Sequence, residues 1–345
     1  MKFSCTKENL SRGLNVVSRI TTKNINLPIL NNVLINIQNR NLKLQTTNLE
    51  IFITYNVRSK IEEEGSFTLP AKLLSDYVNL LPDEKIDIEE IENNFIKVEC
   101  KNFKTKIKGV SASEFPLTPE IAKENIFQVE VADFKKVIEK VVFAVTPNET
   151  RPELSGVFLK FEVKEKKLTA AATDSYRLAE QRIEIKGVKE GASEREIIVP
   201  ARTLQEVVRI IVLLSDLPES PAALDIVLSE NQVEFVYDNV EIFSRLIEGN
   251  YPEYQHIIPT SFKTRAIVDK EELSKAVKAA SLFTKTNLND VHLEFKEKGE
   301  LAVSSAESQI GENNISLNAE LEGEKNKIVL NYKYLNDGLN MMDTE

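Results

Sequence analysis

A helical stripe returns three times along this chain. In KENLSRGLNVVSRI the apolar residues Leu10, Leu14 and Val17 fall at i, i+4 and i+7. ADFKKVIEKVVFAV repeats that spacing at Phe134, Ile138 and Val141, and KEELSKAVKAASLF at Leu273, Val277 and Ala280. The spacing predicts amphipathic helices with one apolar face each. A basic residue follows two positions after the first apolar one: Arg12, Lys136 and Lys275.

After each helix the period drops to two. NNVLINI, SGVFLKF and NDVHLEF align at Val33, Val157 and Val291. LKLQTTNLE, LTAAATDSY and LAVSSAESQ align at Leu42, Leu168 and Leu301. Such alternation predicts half-buried strands. A strand-to-helix step follows in FTLPAKLLSDYV, IIVPARTLQEVV and KIVLNYKYLNDGL, with Lys72, Arg202 and Lys333 in register. Pro70 and Pro200 fit a first helical turn, where a missing N–H costs nothing. Further short strands are predicted over KIDIEEI, FIKVECKNF and FKTKIKGV, with counterparts AALDIVL, QVEFVY and EIFSRLIEG. The first two repeats close on EFP (Glu114–Pro116) and NYPEY (Asn250–Tyr254).

Amphipathic helices beside alternating strands predict an α+β fold of three repeated modules. Their expected bounds are 1–120, 126–255 and 256–345. By comparison with the first module, the third lacks roughly 30 residues after Leu330, about three short strands. It is therefore expected to be an incomplete domain.

Composition narrows the function. The 345 residues are 42% hydrophobic and 28% charged, enough for cores beneath a solvated surface. No apolar run is long enough to cross a membrane. MKFSCTKENL lacks a signal core, so a cytoplasmic protein is expected. Cys5 and Cys100 lie in apolar segments and are expected to be free thiols. The only histidines, His256 and His292, are far apart, so no zinc cluster is expected. Eleven glycines form no phosphate-cradling loop. No cofactor is expected, and nucleotide-dependent enzymes are disfavoured. The net charge of −10, taken alone, argues against a nucleic-acid partner.

The MKF start, LPIL (27–30), ATDSYRLA (172–179), VPAR (199–202) and GNYPEY (249–254) occur in that order across the repeats. Together they resemble the bacterial DNA polymerase III beta subunit family, the sliding clamps, along the whole chain. The family's closing strands and short apolar-Pro-basic tail have no match here. The resemblance implies a head-to-tail homodimer, each chain forming half of a ring with sheets outside and helices inside. Duplex DNA would pass through the hole without sequence preference. A clamp-loading ATPase would open the ring. The polymerase alpha subunit, other polymerases and repair proteins would bind through a short peptide. The chain would be an accessory subunit of the polymerase III holoenzyme, without catalysis of its own. No paired metal-binding carboxylate motif is evident.

The six predicted helical segments together carry net positive charge inside an acidic chain. Cationic helices draw phosphate, and phosphate contacts position a protein without reading sequence. The DNA-contact residues implied are Arg12, Lys72, Lys136, Arg151 and Arg202. Lys23 joins them; the family often has its basic residue one place later, where this chain has Asn24. The bland reading is lysine placed for solubility.

The implied peptide pocket comprises Leu154, Thr173, Ser175, Tyr176, Arg177 and Leu178, with Pro252, His256 and Ile257 as its second wall. Thr173 and Arg177 are expected to offer donors to the peptide. Ser175 stands where many members have glycine, which predicts a slightly smaller cleft. The plain alternative makes Thr173-Asp174-Ser175 a turn in which Asp174 holds local amides. The implied dimer edge places Lys104, Thr105 and Ile107 against Leu282 and Phe283 of the other subunit. Lysines on a strand also guard an edge against wrong pairing, and Phe283 could instead pack in its own core. The rival functions are a clamp-like peptide scaffold that never encircles DNA and a hydrolase built on Asp174 and Arg177.

Overall fold

A computed structural model of the chain describes residues 1–21, 26–92, 94–146, 150–216, 220–284, 289–296, 299–305 and 311–344. The first module runs β1 (Lys2–Thr6), α1 (Lys7–Val17), β2 (Asn32–Gln38), β3 (Asn41–Thr47), β4 (Ile51–Val57), β5 (Lys60–Glu63), β6 (Gly65–Pro70), α2 (Ala71–Leu80), β7 (Lys85–Ile91), β8 (Phe95–Cys100), β9 (Phe103–Lys108) and β10 (Val110–Ser111). The second runs β11 (Asn125–Glu130), α3 (Val131–Val141), β12 (Gly156–Glu162), β13 (Lys167–Thr173), β14 (Leu178–Val188), β15 (Arg195–Pro200), α4 (Ala201–Ser215), β16 (Ala223–Leu228), β17 (Gln232–Tyr237) and β18 (Val240–Arg245). The third runs β19 (Thr264–Ile267), α5 (Lys270–Ser281), β20 (Asp290–Lys296), β21 (Glu300–Ser304), β22 (Asn314–Asn318), β23 (Glu320–Gly323), β24 (Asn326–Asn331) and α6 (Tyr332–Asn340).

The predicted α+β modules are present, and every strand pairing is antiparallel. The strand that opens each module, β1, β11 or β19, was not among the expected elements. In β1 the residues Phe3, Ser4 and Cys5 are all buried, so the two-residue alternation that marks a strand is missing. Pro70 and Pro200 also differ from expectation. They end β6 and β15, paired with Asn32 and Gly156, one residue ahead of their helices. The side-chain caps belong to other helices. Thr6 Oγ1 accepts from Asn9 N at 3.3 Å, and Asp269 Oδ1 from Glu272 N at 2.8 Å. Each satisfies an amide that the first helical turn leaves without a partner.

The chain divides into two compact units, Met1–Tyr251 and Pro252–Glu345. The first contains two modules because their sheets fuse. β4 pairs with β18 in the register Ile53↔Ile242 and Phe52↔Phe243. This joins a 13-stranded sheet of order β10-β6-β2-β3-β4-β18-β17-β16-β11-β14-β13-β12-β15. A five-stranded sheet, β5-β1-β7-β8-β9, completes the first module. The helices bury their predicted stripes: Leu10, Leu14 and Val17 in α1, and Phe134, Ile138 and Val141 in α3. Gly13 lets α1 seat closely, since a Cβ there would come within 2.9 Å of Leu44 and Tyr55 side-chain atoms.

Two further contacts cross the seam. Phe52 meets Phe115 and Phe243 edge-to-face, at 6.3 and 6.4 Å between centroids. Arg209 of α4 donates to Val16 O at 2.7 Å and Asn15 O at 3.3 Å. These carbonyls lie in the last turn of α1, which has no basic residue of its own. A cation there satisfies orphan acceptors and complements the helix dipole. Glu206, itself buried, holds Arg209 in place.

In the second unit, β22-β21-β20-β24 form one sheet and β19-β23 a two-stranded ribbon. Leu273, Val277 and Ala280 of α5 pack over the four-stranded sheet's core residues Val291, Leu293, Leu301 and Val303.

Arg209→Ala should destabilise the first unit by about 1–3 kcal/mol, since it orphans two carbonyls and a buried carboxylate. Adding Glu206→Gln should return part of that loss. Chemical denaturation of the three variants measures both effects.

Candidate interaction sites

The loop between β13 and β14 is held by its own side chains. Thr173 Oγ1 donates to Arg177 O at 2.6 Å and accepts from Ser175 N at 3.1 Å. Asp174 Oδ1 accepts from Tyr176 N and Arg177 N, each at 3.0 Å. Asp174 Oδ2 accepts from Arg177 Nε at 3.0 Å. Arg177 Nη2 donates to Phe143 O at 2.7 Å, and the guanidinium lies 5.3 Å from the Phe143 ring centroid. Ser175 adopts φ +78, a left-handed conformation that glycine enters without strain.

This geometry revises two expectations. Thr173 and Arg177 spend these donors on their own chain, so their role is to shape the loop. Asp174 is the local staple of the turn reading, and both its oxygens are occupied. Its carboxylate is committed to holding the turn and to Arg177, which favours the turn reading over the hydrolase reading.

What the loop presents is apolar. Tyr176 is 84% exposed, Leu178 half-buried, and Leu154 forms a buried floor residue. Tyr251, absent from the expected set, stacks on Phe158 at 5.0 Å with 17° between the planes. Burial pushes its phenol up to about 12 against an opposing contact from the Thr173 backbone. Its place inside the NYPEY motif was the available signal. In the second unit, Pro252 is half-buried while His256 and Ile257 are exposed. His256 Nε2 stands 3.6 Å from Glu253 Oε2.

The expected DNA-contact residues separate. Lys72 of α2, Lys136 of α3 and Arg202 of α4 have exposed side chains. Arg12 of α1 is paired with Glu8 at 2.6 Å and also reaches the Tyr55 phenol. Arg151 turns to the β13–β14 loop, donating through Nη1 to Ser175 Oγ at 3.1 Å and pairing with Glu153. Lys23 lies outside the described residues.

Among the strands that end their sheets are β9 in the first unit and β22 in the second. Lys104 is exposed and 3.1 Å from Glu99; Thr105 is half-buried. Ile107, expected at the dimer edge opposite Leu282 and Phe283, is 5% exposed and packs in its own core. Phe103, on the same face of β9 as Ile107 but at the start of the strand, is 46% exposed. Leu282 is 73% exposed and Phe283 half-buried.

Cys5 and Cys100 are free and buried, as expected. Among the described residues no cluster of three metal-ligating side chains occurs, and no helix is long and apolar enough to cross a membrane.

Family models agree with this arrangement. The N-terminal, central and C-terminal domains of the DNA polymerase III beta subunit match residues 1–119, 128–253 and 255–345. The Beta sliding clamp of Bacillus subtilis (strain 168) is 30% identical over 354 residues, covering 99% of this chain and 91% of the relative. That of Halalkalibacterium halodurans is 28% identical over 356 residues, covering 100% and 91%. The crystal structure of the DNA polymerase sliding clamp from Bacillus subtilis superposes with TM-score 0.91 at 29% identity, covering 100% of this chain and 90% of that one. A putative DNA polymerase III beta subunit from Eubacterium rectale gives 0.91 at 27%, covering 100% and 91%.

Asp174→Ala removes three hydrogen bonds and leaves Arg177 without its carboxylate. Amide exchange at Tyr176 and Arg177 should accelerate by at least about tenfold, with global stability falling by about 1–3 kcal/mol. Hydrogen-exchange mass spectrometry across the loop measures this.

Proposed function

The chain belongs to the DNA polymerase III beta subunit family, the sliding clamps, and from that premise we propose that it acts as a ring closed around duplex DNA. The ring is a head-to-tail homodimer and a non-catalytic accessory of the replicative polymerase. Closure keeps the polymerase on DNA without tight local contacts, so movement along the duplex is not arrested.

The β4–β18 seam carries this reading, because its counterparts in the repeat, β22 and β9, each end a sheet. The pairings Leu42↔Val57 and Leu301↔Leu317 place β22 in the role of β4. The pairings Gln232↔Arg245 and Phe95↔Lys108 place β9 in the role of β18. Transferring Val240↔Tyr55, Glu241↔Thr54 and Phe243↔Phe52 sets Phe103 opposite Ile315, Lys104 opposite Asn314, and Lys106 opposite Glu312 of a second copy. Exposed Phe103 gains cover and Lys106 an opposite charge. Leu282 and Phe283 supply further apolar surface to the same junction.

Lys72, Lys136, Arg202 and Arg12 provide helix-borne cations for phosphate. The Thr173–Leu178 loop, Leu154 and Tyr251 form one wall of a dock for short peptides of polymerases, loader and repair proteins.

With a clamp-loading ATPase, the protein should stay on nicked circular DNA through a high-salt wash and leave when the circle is linearised. Retention on the linear product, or none on the circle, contradicts encirclement. Lys72→Ala and Arg202→Ala should each lower the salt dependence of DNA binding by about one phosphate contact. Lys106→Glu should weaken dimerisation by about tenfold, and Glu312→Lys in the same chain should restore it. Analytical ultracentrifugation reads the dimer constant.

A further inference from the structure

The β3–β4 turn repeats the construction of the β13–β14 loop. Thr47 Oγ1 donates to Ile51 O at 2.9 Å and accepts from Leu49 N at 3.0 Å. Asn48 Oδ1 accepts from the N–H groups of Glu50 at 3.1 Å and Ile51 at 2.8 Å. Thr173 and Asp174 make the same four contacts one module later. Leu49 even shares the left-handed backbone of Ser175, at φ +76.

Leu49 is an unusual residue for that conformation. A bulky side chain enters it at a steric cost, and here it remains 48% exposed. Neither backbone fit nor burial explains the choice. Leu49 borders a hollow of about 160 Å³ whose walls include Phe52, Phe243, Pro116 and Leu117. Leu117 is 93% exposed beside it. The hollow opens to solvent and also has polar walls, Thr47, Gln232 and Ser244; its size suits one leucine or phenylalanine side chain, since about 150 Å³ holds a benzene-sized group. Arg245 lines the same hollow, exposed and in no ion pair among the described residues.

We propose that this hollow is a second peptide dock, for a short apolar segment of a partner protein that carries a carboxylate beside its anchoring side chain. The anchor enters between Leu49 and Leu117, and the carboxylate meets Arg245. Glu50, also at the hollow, repels the same carboxylate and so favours one direction of binding. The inference rests on reading the Thr173–Leu178 loop as a peptide dock, since it extends that design to the preceding module.

The full chain, labelled at leucine methyls, can be titrated with acetyl-Ala-Asp-Leu-Phe-amide. Saturable shifts are expected at Leu49 and Leu117. They should need about tenfold more peptide in Arg245→Glu and vanish in Leu49→Asp, a residue that tolerates the left-handed turn. Replacing the peptide's aspartate by lysine should weaken binding similarly. Shifts at Leu154 and Leu178 alone overturn this dock and leave the other standing. Shifts at Leu49 and Leu117 alone support it and remove the reading of the later loop. No shift at either pair overturns both, and shifts indifferent to Arg245→Glu overturn the carboxylate's part.

Discussion

Antiparallel pairing between two sheet edges is the interaction on which this molecule depends. A strand edge is a row of unsatisfied donors and acceptors, and proteins cover it, charge it or pair it. The first two modules pair theirs, β4 to β18, and thereby become one unit. The join is reinforced on both sides of the backbone. Phe52, Phe115 and Phe243 close an apolar cluster there, while Arg209 ties α4 to the end of α1. Neither contact would form without the register that the strands impose.

The same economy governs the loops. A threonine hydroxyl and an Asx carboxylate or amide oxygen hold the turn from within, twice, with nearly the same distances. Rigid local bonding leaves the side chains at the tip of each turn outside the bonds that hold it. At 173–178 those residues are Ser175 and Tyr176; at 47–52 they are Leu49 and Glu50. A pre-formed loop binds peptide without the cost of ordering itself. The two modules thus differ in what they display while sharing how they display it.

The three-fold repeat was legible because helix and strand periods alternate in fixed order, and the packing follows that pattern at Leu10, Leu14, Phe134 and Ile138. Other features left no mark in the pattern. β1 buries consecutive residues, so its periodicity disappears. Ile107 and Phe103 share one face of β9, yet Ile107 is buried while Phe103, at the start of the strand, is 46% exposed; the two-residue period alone does not separate them. Arg151 carries the right charge for DNA, yet its direction is set by Ser175, a neighbour 24 residues away. Arg177 resembles an exposed donor until its bonds to Asp174 and Phe143 are seen. Composition locates charge along a chain; tertiary contacts decide which charges remain available.

The central claim is that the register of β4 on β18 is reused between subunits. Oxidative cross-linking tests it directly, with Lys104→Cys and Asn314→Cys in one chain. Both native cysteines are buried and free, so they do not compete. Directly opposed residues in an antiparallel pair lie about 4.5–5.5 Å apart at Cα, within disulfide reach. The account predicts a covalently closed species of twice the chain mass. The out-of-register combination of Lys104→Cys with Glu312→Cys should stay unlinked. Linkage only in that second combination, or none in a sample that is dimeric by mass, contradicts it.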